Sequence, residues 1–246
     1  MSSEEVMVRY ERDGHIAIIT LDRSPVNAYD DAFHVQFQGA WQRAKDDDSR
    51  VVVMQATGKH FCVGANMKAP LPAPEGSKIL APWDEIRVIQ SVPKPTIAAV
   101  QGGCIGGGQR MVWPCDIVFC TEDAFFMDPT AEMGIGGIQS HLHTWFYGPR
   151  LAKEMIYSGM RLPAARLYAM GQVNRLCSDA ATLQRDALEL AREIAKRDPA
   201  PLRQAKRASD ITMDIMGRHY VLSRMEELLD PAPAPSFHLP SDSEAS

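Results

Sequence analysis

The segment Lys94–Arg110, KPTIAAVQGGCIGGGQR, joins an apolar run to a cluster of five glycines. Thr96 to Val100 are apolar and partly β-branched, which predicts a buried strand inside a layered core. The three glycines Gly106–Gly108 lead into a predicted helix that begins at Gln109. Consecutive glycines allow positive φ and a close approach of backbone to ligand. Such a turn can hold an oxygen atom that becomes negative during a reaction, although a flexible loop gives the same pattern.

The sequence around this segment predicts alternating strands and helices. Val6–Tyr10 and His15–Leu21 flank Asp13-Gly14, which is typical of a β-hairpin. Apolar residues repeat at helical spacing from Asp30 to Lys45 and from Leu183 to Lys196. Without a linker in the middle, this order indicates a single α/β domain. Further strands are predicted at Val51–Ala56, Ile117–Cys120, Ala124–Met127 and Val173–Leu176, with helices at Gln139–Tyr147 and Leu202–Leu229. Gly102 and Gly103 are expected to end the strand before the glycine turn.

Composition excludes several classes of function. The 246 residues carry a net charge of −5, which disfavours nucleic acid as a partner. No apolar stretch is long enough to span a bilayer, and the acidic N-terminus does not resemble a secretory signal. The five cysteines form no CxxC pair, which fits reduced thiols and a cytoplasmic location. Histidine and acid spacing predicts no metal site.

Four segments, in order, resemble the crotonase (enoyl-CoA hydratase/isomerase) superfamily. They are VRYERDGHIAIITLDRSPVNAYD, ATGKHFCVGANMKA, KPTIAAVQGGCIGGGQRMVWPCDIVFCTEDAFFMDP and EMGIGGIQ, and the likeness extends over about residues 6–200. The resemblance implies a spiral of ββα units with a helical C-terminal region, assembled as a homotrimer or homohexamer. The corresponding division is a spiral core with an acyl-CoA pocket at 1–180, a helical region at 181–230 and a disordered tail at 231–246.

The resemblance also implies how a substrate is held. Members bind the carbonyl of an acyl-CoA thioester between two backbone N–H groups, which fall here on Ala65 and Gly107. A basic residue after the first hairpin meets the CoA phosphates, and Arg23 matches it, with Lys68 as a second candidate. Coenzyme A enters as part of the substrate, and no other cofactor is expected.

The acid–base residues depart from the family pattern. The two glutamates of the hydratases map to Arg110 and Thr130, and the acid of some dienoyl-CoA isomerases maps to Ile138. Neither a guanidinium nor a threonine hydroxyl can act as the carboxylate that activates water. Arg110 and Thr130 are therefore candidates for substrate binding. Hydration by a glutamate pair is not expected.

Nearby residues offer substitutes for the missing glutamates. Asp128 and Glu132 have the same parity as position 130, so either can be the proton-transferring acid, or can form a structural ion pair with Arg110. His141 is a further candidate base, with His143 as an alternative, and a core or interface position is the competing interpretation.

The leading functional hypothesis is an enzyme that acts on an acyl-CoA through an enolate. Isomerisation, decarboxylation or C–C hydrolysis fits these residues better than hydration. One family branch that cleaves cyclic β-diketones works without CoA and uses histidines. The alternative from a different class is a catalytically silent acyl-CoA-binding or scaffold protein.

Overall fold

The computed structural model describes residues 5–67, 84–134, 140–218, 220 and 221. The predicted tail at 231–246, Lys68 and Ile138 lie outside these residues. The strands are β1 Val8–Asp13, β2 Ile16–Leu21, β3 Val51–Ala56, β4 Thr96–Val100, β5 Gly103–Ile105, β6 Ile117–Thr121, β7 Phe125–Met127, β8 Leu162–Pro163 and β9 Arg175–Cys177. The helices are α1 Asp31–Asp46, α2 Asp84–Gln90, α3 Gln109–Val112, α4 Ser140–Tyr147, α5 Pro149–Ser158, α6 Ala164–Ala169, α7 Ala180–Ala195 and α8 Pro199–Ile215.

Six strands form the main sheet in the order β1-β2-β3-β4-β6-β9. The predicted hairpin is confirmed, because β1 and β2 pair antiparallel with Asp13 opposite Ile16. The other pairs in this sheet are parallel. A second sheet, β5-β7-β8, begins within the glycine-rich segment, since β5 lies between Gly102 and Gly106.

Side chains of the central strands point alternately into two hydrophobic cores, one on each face of the main sheet. Val52 and Met54 of β3 belong to the core that includes Phe33, Phe37 and Trp41 of α1. Val51 and Val53 instead contact the core that includes Leu183, Ala187 and Ala191 of α7. Successive side chains of a strand point to opposite faces, so one apolar strand serves both layers.

Helix α1 is positioned by its cap. The Asp30 side chain accepts a hydrogen bond from Phe33 N at 3.1 Å, which satisfies one of the free amides of the first turn. The helix begins where the sequence predicted. Its fixed start determines the path of the residues just before it, which include Tyr29.

The predicted end of the strand before the glycine turn is confirmed, because β4 ends at Val100. The sequence did not predict that Gly103 begins a further strand, β5, whose Cys104 pairs with Phe126. Gly102, at φ 56°, turns the chain from the first sheet into the second. The predicted helix at Leu202–Leu229 was wrong in its described part, because α8 ends at Ile215 and Gly217, at φ 112°, breaks the helical backbone. Residues 222–229 of that prediction lie outside the described residues.

Candidate functional site

Two segments that contain the predicted amide donors lie against each other. Ile105 N donates to Cys62 O at 2.9 Å, and Cys62 N donates to Gly103 O at 3.3 Å. A Cβ built on Gly64 would lie 3.6 Å from Gly107 N. Gly64 has φ 92°, a conformation that favours glycine, and this kink allows the loop to approach the glycine turn at Gly106–Gly108.

Tyr29 sets the direction of the Ala65 amide. Tyr29 N donates to Gly64 O at 2.9 Å, and Asn66 N donates to Tyr29 O at 2.8 Å. In such a parallel bridge, the N–H of the residue between these two groups faces away from the partner strand. The Ala65 N–H therefore points away from the Tyr29 backbone.

Gly107 lies in the first turn of a 3₁₀ helix, where N–H groups have no partner within the helix. In the described parts of the chain, no oxygen accepts a hydrogen bond from the N–H of Ala65 or Gly107. The two free amides therefore belong to two segments that contact each other. Two such groups can stabilise negative charge on one oxygen if they converge on it.

Arg110 projects from α3 into a buried cluster that we call the Arg110 cluster: Tyr29, His34, Glu85 and Arg110. The Arg110 Nη2 atom donates to Tyr29 Oη at 2.6 Å and to Glu85 Oε1 at 3.2 Å. His34 Nδ1 lies 3.3 Å from the same carboxylate oxygen. The alternative ion pair of Arg110 with Asp128 or Glu132 is not formed among the described residues; Glu85 takes that place.

The opposite charges of Arg110 and Glu85 are buried together in this cluster. Burial alone would raise the pKa of Glu85, but the Arg110 charge and the His34 contact outweigh it, so the pKa is lowered. Among the described residues, Glu85 Oε2 and Arg110 Nε are buried without a hydrogen-bond partner. The ion pair is thus held through one nitrogen and one oxygen. A carboxylate and a guanidinium stay ionised together in the interior.

Tyr29 connects the Arg110 cluster to the glycine turn, because its hydroxyl contacts both Arg110 and Gly107. A Cβ added to Gly107 would collide with the Tyr29 hydroxyl and would lie 3.0 Å from Arg110 Nη2. Burial, which outweighs the Arg110 charge, raises the pKa of Tyr29 well above its usual value. The phenol therefore remains neutral, and only a glycine at position 107 leaves room for it.

Asp128 belongs to a second buried group. It follows β7, and its Oδ2 atom lies 3.2 Å from His143 Nε2, while Oδ1 accepts from Thr130 N at 3.0 Å. Gln109 Nε2, which donates to Met127 O at 2.9 Å, lies 3.4 Å from the same histidine nitrogen. Asp128 and His143 are both essentially inaccessible to solvent. His143, rather than Arg110, is the side chain that contacts the Asp128 carboxylate among the described residues.

The other predicted residues lie apart or outside the description. Glu132 is exposed, and its Oε2 atom lies 3.1 Å from the Cβ position of Gly159, which follows α5. Thr130 is half-buried. His141 lies on α4, but its side chain, like Lys68, is outside the described part of the structure.

Arg23 is half-buried and already has partners. Its Nη1 atom donates to Ala28 O at 2.9 Å, and Nη2 pairs with the Asp30 carboxylate that caps α1. The guanidinium therefore supports the chain before α1. Its predicted contact with CoA phosphates stays a prediction.

Sequence reasoning missed Tyr29, His34 and Glu85. The available signal was helical spacing: Glu85 lies four residues before the core residue Ile89, and His34 lies three residues before Phe37. A buried acid requires a partner, so an acid on this face implied a buried cation such as Arg110.

Neither a metal site nor a membrane span is found in the described residues. They contain no group of three His, Cys, Asp or Glu side chains that could hold a metal ion. None of their helices has the length and apolar character needed to cross a membrane. All five cysteines are free thiols.

Comparison with known proteins identifies the family. The family model described as enoyl-CoA hydratase/isomerase matches residues 11–229. The chain belongs to the enoyl-CoA hydratase/isomerase family. The predicted family and the crotonase-type α/β fold are thereby confirmed. A crystal structure of a probable enoyl-CoA hydratase from Mycobacterium thermoresistibile is 39% identical, with a TM-score of 0.82, and the match covers 91% of this chain and 94% of that one.

Curated relatives within the family catalyse different reactions. The chain is 31% identical over 211 residues to the mitochondrial Delta(3,5)-Delta(2,4)-dienoyl-CoA isomerase of Mus musculus, covering 78% of this chain and 64% of that protein. It therefore spans slightly less than two thirds of that relative. It is 32% identical over 204 residues to a Mycobacterium tuberculosis hexahydro-indene-carboxyl-CoA hydrolase, covering 78% and 79% of the two proteins.

Proposed function

We propose that this protein is an enzyme that binds an acyl-CoA thioester between the amides of Ala65 and Gly107 and passes through an enolate. The approach of the Gly64 segment to Gly107 N and the orientation of the Ala65 amide support this proposal. Two preorganised N–H donors favour the enolate over the neutral thioester because charge develops on the oxygen that they contact.

The observation that carries the choice of reaction is the buried guanidinium of Arg110 beside Gly107. Hydratases of the family have a glutamate at this position. A cation favours the negative enolate but cannot activate water. We therefore favour isomerisation, decarboxylation or C–C hydrolysis over hydration by a glutamate pair. The family includes relatives named as an isomerase and as a hydrolase of CoA derivatives.

Asp128 is the acid that we favour for proton transfer. It is buried beside His143, whereas Glu132 is exposed. The contact with His143 Nε2 at 3.2 Å holds the Asp128 carboxylate in one position. His141, the other proposed base, is a separate alternative.

Thr130 is proposed to contact the substrate, and Arg23 and Lys68 are proposed to contact the CoA moiety. A homotrimer or homohexamer in the cytoplasm is part of the same proposal.

The substitution of both glutamates also favours a second candidate, an acyl-CoA-binding or scaffold protein without catalysis. A panel of crotonyl-, dienoyl- and malonyl-type CoA thioesters separates the two. Turnover of a panel member, or exchange of α-hydrogens of butanoyl-CoA for solvent deuterium, supports the enzyme. Tight binding without either reaction supports the binding protein, and the absence of binding contradicts both.

A further inference from the structure

We infer that the Tyr29 hydroxyl is a third hydrogen-bond donor to the thioester oxygen, polarised by Arg110. This inference rests on the proposed function and deepens it. It makes Tyr29 a catalytic residue that contacts the oxygen on which the enolate charge develops. Through its hydrogen bond to Tyr29, the Arg110 cation also acts on that oxygen without contacting it directly.

The first support is the position of Tyr29 relative to both amides. Its backbone bonds to Gly64 and Asn66, the two neighbours of Ala65. Its hydroxyl overlaps the position that a Cβ of Gly107 would take. Because Cβ and N of one residue are about 2.5 Å apart, the hydroxyl lies within about 5 Å of Gly107 N. An oxygen bound to that amide is therefore within reach of the phenol.

The second support is the balance of donors and acceptors. The Tyr29 oxygen accepts a hydrogen bond from Arg110, so its own O–H must be directed elsewhere. Within the described residues, no atom accepts this proton. The whole Tyr29 residue is only 3% exposed, and a buried hydroxyl is costly to leave without an acceptor for its proton. The thioester oxygen of a bound substrate would supply the acceptor.

The third support is the electrostatic arrangement. A phenol that accepts from a guanidinium is a stronger donor through its own O–H. Glu85 balances the Arg110 charge before substrate binds. No proton moves from Tyr29. When the α-C–H bond breaks, its proton passes to the Asp128 carboxylate proposed for proton transfer, its electron pair forms the C=C bond of the enolate, and the carbonyl π electrons pass to the oxygen that accepts the Tyr29 hydrogen bond. The arrangement suits substrates that react through an enolate without activation of water.

Acetoacetyl-CoA tests this inference because its keto and enolate forms differ in ultraviolet absorbance. The variants are Tyr29→Phe and, as a matched control, Tyr10→Phe, whose hydroxyl bonds to Asp47 away from the site. In Tyr29→Phe, we expect the bound enolate-to-keto ratio at fixed pH to fall about tenfold or more. The α-deuterium exchange of butanoyl-CoA should fall about 100-fold.

Binding separates a catalytic role from a structural one. Butanoyl-CoA, which remains largely the neutral thioester, should bind Tyr29→Phe within about threefold of the wild-type affinity. An unchanged enolate ratio overturns the inference. A parallel loss of enolate ratio and butanoyl-CoA affinity also overturns it, because Tyr29 would then only support the pocket. Failure of the wild-type protein to bind either thioester overturns the proposed function itself, and this inference with it.

A second variant keeps the test valid if Tyr29→Phe does not fold. Replacement of Tyr29 by 3-fluorotyrosine preserves the ring and gives a more acidic hydroxyl. If Tyr29 donates to the thioester oxygen, the bound enolate-to-keto ratio should rise, whereas 3-fluorotyrosine at Tyr10 should leave it unchanged. An unaltered ratio with the analogue at position 29 contradicts the inference.

Discussion

Removal of the Arg110 charge should destabilise the fold unless Glu85 is neutralised with it. Arg110→Met keeps most of the apolar stem but leaves the Glu85 carboxylate buried, with its side chain 1% exposed, beside His34 alone. Glu85→Gln performs the reverse experiment and leaves the guanidinium without its carboxylate. The double variant removes both charges. The three proteins together form a double-mutant cycle around the 3.2 Å Arg110–Glu85 contact.

The magnitude follows from distance and burial. Opposite charges 3.2 Å apart attract by about 5 kcal/mol at an effective dielectric constant of about 20. Desolvation costs several kcal/mol per ion, so the intact pair contributes little compared with apolar residues. Loss of one partner should cost about 3–5 kcal/mol of unfolding free energy. The double variant should lose less than about 2 kcal/mol, because no unpartnered charge remains.

Urea unfolding at a fixed protomer concentration measures these free energies. Arg185→Met is the control, since the exposed Arg185 pairs with Asp186 at 2.9 Å and with Glu189 at 4.0 Å, and it should lose less than about 1 kcal/mol. Additive losses in the double variant would show that Arg110 and Glu85 act independently, which contradicts a stabilising ion pair between them.

The pH dependence should differ in sign between the wild type and Arg110→Met. In the wild type, burial opposes ionisation of Glu85 but Arg110 outweighs it, so the pKa is lowered. Its contribution is present above the unfolded pKa of about 4.3 and is lost as pH falls. Without Arg110, burial raises this pKa, so the variant should lose stability as pH rises. The difference in unfolding free energy should widen between about pH 4 and about pH 8.

Four further substitutions test other residues. Gly107→Pro removes an N–H donor and should abolish thioester turnover in a kinetic assay; a retained kcat would exclude Gly107 from the mechanism. Asp128→Asn should lower kcat more than Glu132→Gln, whereas wild-type rates in both would leave neither acid in the reaction. Asn27→Ala should cost about 3 kcal/mol in urea unfolding, since the buried Asn27 amide donates to the carbonyls of Thr57 and His60 at 2.9 and 3.0 Å. An unchanged midpoint would show that water replaces these bonds.

Local patterns predicted most of the fold. The hairpin at Asp13-Gly14, the start of α1 near Asp30 and the buried strand before the glycine turn depend on nearby residues, so their periodicity and capping were visible in the sequence. The end of α8 was missed because apolar spacing continues past Gly217, whose positive φ breaks the helix.

The site was only partly predictable because its contacts are long-range. Glu85 and Arg110 are 25 residues apart and Tyr29 is 81 residues from Arg110, so no local period links them. The sequence indicated that a cation replaces a glutamate, but it did not show which acid balances that cation. Asp128 was identified as a candidate, whereas its pairing with His143 depends on how α4 packs beside β7.

A crystal structure of the protein with butanoyl-CoA would show whether the amides of Ala65 and Gly107 hold the thioester. We expect the thioester oxygen to lie about 3 Å from both Ala65 N and Gly107 N. A thioester oxygen bound elsewhere, or two nitrogens that face away from each other in the complex, would contradict it.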